Sequence, residues 1–130
     1  MREQWRAIPD WEGIYEASTY GRVRSLDRTV TVRYRSGRED QPRVAGKILT
    51  PTTKSNGYQL VQLYEGGAKT WAHVQHLVLR AFVGDAPPGC EAGHRNGIPD
   101  DNRLSNLRYC THSEIKRASV RRHRQQQEAA

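Results

Sequence analysis

Between Pro88 and Ile115 the chain reads PGCEAGHRNGIPDDNRLSNLRYCTHSEI, a stretch that brings two histidines, several aspartates and asparagines and a helix-start signal close together. Hydrolysis of a phosphodiester needs a base to deprotonate water, a cation to stabilise charge on the phosphorane, and a group to protonate or coordinate the leaving oxygen. His94 can be the base. Its imidazole titrates near working pH, and a hydrogen bond at the second ring nitrogen would fix its tautomer. The elements that position it follow from local chemistry. Asn96-Gly97 and Pro99-Asp100 are turn formers, because Asn and Gly tolerate positive φ and Pro fixes its own, so the chain reverses just after the histidine. Leu104, Leu107 and Tyr109 bring in a second short strand. Thr111 stands at a helix N-cap with Glu114 three residues on, a capping box. The order is strand, loop, strand, helix, with His94 on the first strand facing the helix.

The segment resembles the HNH nuclease motif, the ββα-metal finger, through GHRNG, DDNRLSNLRY and the T-H-S-E helix start in that order. Further back, EQWRAIPDWEGIYEASTYGRVRSLDR is similar to the NUMOD4-like module that precedes HNH motifs in phage and intron-encoded homing endonucleases, and WAHVQHLVLRAFVG looks like the connecting helix of that group. Almost the whole chain is covered. The resemblance implies an α+β fold: a small N-terminal antiparallel sheet, a connecting helix, then the finger and a basic C-terminal helix. It assigns His94 as general base in a one-metal mechanism leaving a 5′-phosphate and a 3′-hydroxyl. It implies that the amides of Asn102 and Asn106 bridge backbone groups across the loop, and that the cofactor is a divalent cation, Mg²⁺ first and Mn²⁺ second. Read locally, NRLSNL is only a polar turn with two Asx caps, which leaves the accompanying histidine and helix unexplained. The sequence departs from the pattern at the two usual ligand positions, where Gly93 and Ile115 offer no donor; His112 and Asp101 are the nearby candidates to hold the metal instead.

At 130 residues the chain is about one ordinary domain. The expected division is an N-terminal strand module over 1–72, the helix and finger over 73–124, and a disordered tail over 125–130. A mean hydropathy of −0.88 allows only a thin core. The net charge of +7, supplied mostly by arginine, points to a polyanion as partner, since guanidinium matches phosphate in bidentate fashion. The expected partner is double-stranded DNA, with Lys116, Arg117, Arg121, Arg122 and Arg124 on the last helix and Arg95 and Arg103 beside the finger as contacts. A homodimer or a phage partner protein would lengthen the short site that so small a chain can cover. No run approaches membrane-spanning length and MREQWRA lacks the apolar core of a signal peptide, so the expected setting is cytoplasmic, the host cytosol if the chain is phage-encoded.

Cys90 and Cys110 are the only cysteines; with His94 and His112 they could form a mixed zinc site, but buried reduced thiols packed in strands is the simpler expectation. The remaining elements follow from pattern. Trp5 to Tyr15 suggests short strands around Pro9-Asp10 and Gly13. TVTVRY leads into a polar loop with Gly37 and Pro42, expected to be mobile. GKILTP and YQLVQLY read as strands, with Ser55-Asn56-Gly57 and Glu65-Gly66-Gly67 as hairpin turns. From His73 the apolar residues recur at helical spacing to Phe82. His76, on that helix, is expected to be a hydrogen-bonded structural residue. Two functions stay open: a site-specific DNA endonuclease, cutting one strand or both, and a DNA-binding protein whose nuclease centre is degenerate. An RNA-binding domain is disfavoured, because no pair of exposed stacking aromatics is apparent.

Overall fold

The structure is a computed structural model and describes residues 2–116. Three short strands, β1 (Trp5–Ala7), β2 (Tyr15–Ser18) and β3 (Val23–Ser25), form an antiparallel sheet in that order. A narrow ribbon follows, in which β4 (Arg28–Thr29) and β5 (Val32–Arg33) run out and β6 (Glu39–Asp40) and β7 (Arg43–Val44) return, pairing β5 with β6 and β4 with β7. A second three-stranded sheet takes β8 (Thr52–Thr53), β9 (Gln59–Glu65) and β10 (Ala68–His73) in the order β10-β9-β8. Helix α1 (Val74–Phe82) then leads to the hairpin of β11 (Cys90–His94) and β12 (Leu107–Thr111), whose loop ends in a 3-10 turn at Leu104–Asn106. Residues 112–116 are helical. The architecture is the expected α+β.

Helix α1 is the central packing element because its buried residues Val74, Leu77 and Val78 recur at i, i+3 and i+4, a continuous apolar stripe. That stripe meets β2, β9, β11 and β12, and the resulting core joins Ile8, Tyr15, Val23 and Leu63 from the N-terminal half to Val78 and Leu107. Val78 is fully buried, and burial of one such side chain contributes about 1.5–3 kcal/mol. The helix stops where Gly84 takes φ +117°, with the amides of Val83 and Gly84 both donating to the Leu79 carbonyl. The Tyr109 hydroxyl donates to the Gly84 carbonyl at 2.6 Å, which fixes β12 to the end of α1.

Three expectations are corrected. The polar stretch after TVTVRY is the return limb of a paired β-ribbon, not a loop, because Thr29 and Val32 of the outgoing limb find Arg43 and Asp40 across the Tyr34–Gly37 turn. GKILTP forms no strand of its own; Ile48 makes a single bridge to Arg24, and pairing with β9 begins only at Thr52. The N-terminal half is therefore two sheets and a ribbon, not one sheet. In β9, Leu60 and Val61 are both buried, so that strand is covered on both faces at its start and its alternation is not strict. No helix among the described residues is long and apolar enough to cross a membrane. Arg117, Arg121, Arg122, Arg124 and the expected tail lie outside the described residues.

Candidate active site

The β11–β12 hairpin carries His94 as the last residue of its first strand, opposite Leu107. The loop that follows is held by two asparagines. Asn106 accepts from the Asn96 amide at 3.1 Å and donates through Nδ2 to the Asn96 Oδ1 and the Asp101 carbonyl, at 3.0 and 2.8 Å. Its own carbonyl accepts from the Arg95 amide. One buried side chain thus joins the two limbs of the loop, and the backbone bridging expected of Asn106 is what it makes. Asn96 in turn closes an Asx turn onto the Ile98 amide.

Asn102 behaves differently from expectation, since its amide joins side chains and not backbone. His94 Nε2 lies 2.8 Å from Asn102 Oδ1, and Asn102 Nδ2 donates to Gln59 Oε1 at 3.2 Å. With Nδ2 committed to Gln59, Oδ1 is the atom that faces the ring, an arrangement that suits a His94 protonated on Nε2. That tautomer has Nδ1 as its basic nitrogen, and His94 lines a cleft. The imidazole is buried, and desolvation lowers its pKa against the opposing effect of the Asn102 hydrogen bond. The Tyr58 ring lies 5.9 Å away at a tilt.

The cleft measures about 250 Å³ and is lined by Gly93, His94, Arg108, Cys110, Glu114 and Ile115 from the hairpin and helix and by Asn56, Tyr58, Gly97 and Pro99 from the turns beside them. Gly93 pairs across the hairpin with Arg108. A Cβ at Gly93 would overlap the Cys110 Sγ and lie 3.3 Å from Ile115 Cγ1, so thiol and isoleucine fill the room beside the histidine. Glu114 is the carboxylate of this cleft, and it caps Thr111 and pairs with Arg108 at 3.6 Å. The two expected ligands lie elsewhere. Asp101 takes a bidentate contact from Arg103, both oxygens at 2.8 Å, and a further one from Asn96, which hold its carboxyl down to about 2. His112 lines a neighbouring cleft of about 460 Å³ with His73, His76, Cys90 and Glu91. No three His, Cys, Asp or Glu side chains among the described residues are grouped to hold a metal ion. The cleft's own oxygen donor is therefore Glu114 alone among the acidic side chains that line it, and the mixed zinc site is not formed among the described residues.

Residues 3–64 match the NUMOD4 motif and residues 72–117 match the HNH endonuclease family. The two matches stand in order along the chain, the NUMOD4 motif first and the HNH endonuclease match over the finger. It is similar to the DNA endonuclease I-HmuI of Bacillus phage SP01, 28% identical over 83% of this chain and 52% of the relative. The chain thus spans about half the length of that curated relative. A solved structure of DNA binding and cleavage by the HNH homing endonuclease I-HmuI superposes with a TM-score of 0.69 at 27% identity, covering 97% of this chain and 66% of that one.

The NUMOD4-matching region buttresses the finger at several points. Gly21, at φ +83°, turns so close to the loop that a Cβ there would stand 2.5 Å from the Asn102 carbonyl carbon and oxygen. Gly57, at φ +87°, presses the β8–β9 turn against Pro99, where a Cβ would come within 2.6 Å of Cγ. The Leu104 amide donates to the Thr19 carbonyl. Sequence reading missed Tyr58, Gln59 and Arg108, since the first two approach the histidine from 35 or more positions away and no local spacing marks them. Arg95, Arg103 and Lys116 are exposed, Arg103 already paired with Asp101. Cys110 is buried, which raises its thiol pKa, whereas Cys90 is only partly buried; both are free thiols. His76 is exposed on α1 and lines the neighbouring cleft, so the expected structural hydrogen bond does not describe it.

Proposed function

We propose that this chain grips duplex DNA and hydrolyses a phosphodiester in the His94 cleft, as an HNH endonuclease whose general base is His94. The observation that carries this reading is the pairing of Nε2 with Asn102, which leaves a basic Nδ1 for a water in a cleft that also holds the Arg108 guanidinium. Burial keeps the ring neutral at working pH, which a base requires. Arg108 is placed to meet a phosphate oxygen, provided the incoming anion draws it from Glu114. A divalent cation, Mg²⁺ or Mn²⁺, would be held by Glu114 together with the DNA phosphate and would supply positive charge there. DNA would be held by the β4–β7 ribbon, which carries Arg28, Arg33, Arg35, Arg38 and Arg43 around the exposed Tyr34, and by the arginines after Ile115. A two-stranded ribbon is narrow enough for the major groove.

A second reading is favoured by the fit of Gly93, Cys110 and Ile115: a DNA-binding protein whose HNH centre cleaves weakly because the usual ligands are replaced. Nicking of supercoiled plasmid against Mg²⁺ and Mn²⁺, with His94→Ala as control, separates the two. Metal-dependent nicking lost in the variant supports the endonuclease; tight DNA binding without nicking supports the second. Competition by RNA as effective as by DNA would overturn both.

A further inference from the structure

We propose that Gln59, on β9 of the N-terminal half, is a positioning residue that sets the tautomer of His94 through Asn102. The reading deepens the proposed role of His94 as base. An amide side chain has two ends that differ in role, and in the order Gln59, Asn102, His94 each choice dictates the next. Gln59 Oε1 accepts from Asn102 Nδ2 at 3.2 Å, so Asn102 Oδ1 must turn to the ring, and the ring must present an N–H at Nε2, 2.8 Å away. Reversing the first amide would reverse all three, leaving Nδ1 protonated and unable to take a proton from water.

The surroundings restrict the two inner members. Asn102 is 3% exposed and His94 9%, so neither exchanges its partner freely for solvent. Gly21 stacks against the Asn102 backbone and fixes where the amide starts. Tyr58, next to Gln59, places its ring 5.9 Å from the imidazole and 6.0 Å from that of His73, so the chain at the start of β9 brings two consecutive side chains to the site. A residue 43 positions before Asn102 therefore decides which nitrogen of His94 carries the proton.

Long-range ¹H–¹⁵N spectra of the imidazoles in the full chain at about pH 8, where the ring is neutral, test this without any cleavage. The wild-type protein is expected to show His94 as the Nε2–H tautomer. Gln59→Leu removes the acceptor and should give a mixture with Nδ1–H; Gln59→Glu, which can only accept, should keep Nε2–H. Nicking should follow the same order, falling at least tenfold in Gln59→Leu with KM little changed and returning in Gln59→Glu. An Nδ1–H ring in the wild type, or an unchanged tautomer in a folded Gln59→Leu, overturns the proposal. If instead the tautomer moves as expected while His94→Ala still nicks at the wild-type rate, the relay stands and the general-base assignment falls.

Discussion

At His94 the burial that removes the ring from solvent also shapes two pH responses. Its pKa is depressed by desolvation, so nicking should rise with pH through a value below the ordinary ~6.5 and be flat by neutrality. The sign for stability follows from the same shift. A histidine that is harder to protonate when folded leaves the unfolded chain binding more protons, so its contribution is full above about pH 6.5 and is lost as pH falls through the folded pKa. Urea midpoints between pH 7.5 and 5 should drop more for the wild type than for His94→Asn. His94→Ala should lower the nicking rate by about 10²- to 10⁴-fold with DNA affinity unchanged, measured by plasmid nicking and fluorescence anisotropy; full activity would remove the base assignment. Beside it, Ile115→Asn should raise nicking at limiting Mg²⁺ by giving the cleft an oxygen donor. Gly93→Asp by itself should lower thermal stability, because the Cys110 thiol has to swing aside for the new Cβ. If the Gly93→Asp, Ile115→Asn pair binds Mn²⁺ no better than the parent, the cation belongs elsewhere.

The loop between β11 and β12 depends on Asn106 more than on any turn residue, since both its amide ends and its carbonyl are engaged across the two limbs. Asn106→Ala strands the Asn96 amide and the Asp101 carbonyl and should cost about 2 kcal/mol or more in urea denaturation. Asn106→Asp keeps the acceptor, loses the donor, and should cost less; equal loss in both would show that volume and not hydrogen bonding decides. This element was legible in the sequence because its signals are local: the Asn-Gly turn, the Thr111–Glu114 box, the apolar alternation from Leu107. Helix α1 was legible for the same reason. The ribbon was misread because pairs two residues long leave almost no periodicity, and Gly37 with Pro42 looks the same in a ribbon tip as in a loop. The role of Asn102 was misread because its partners are set by where β9 passes in space, which no spacing within DDNRLSNL encodes.

Across the whole molecule, charge and core act at different reaches. The core binds the N-terminal sheets, α1 and the finger into one packed body, while positive charge concentrates on the ribbon. There Arg33, Arg38 and Arg43 pair with Glu39, Asp40 and Asp27, whereas Arg28 and Arg35 have no carboxylate partner among the described residues. Log affinity for DNA should fall linearly with log salt, by about 0.9 per phosphate neutralised. Arg28→Gln with Arg35→Gln should flatten that slope by about one to two units, and an unchanged slope would take the ribbon off the DNA. The two glycine turns that press on the finger carry a further meaning for portability. Gly21 meets Asn102 and Gly57 meets Pro99 with no space for a side chain, so these joints match in shape as a mould matches its casting. A finger lifted out at residue 72 would leave its mould behind. Exchange of nuclease heads between proteins of this build should therefore succeed when the cut falls ahead of Gly21, carrying both turns along, and should yield folded but misaligned hybrids when it falls at the apparent boundary before α1.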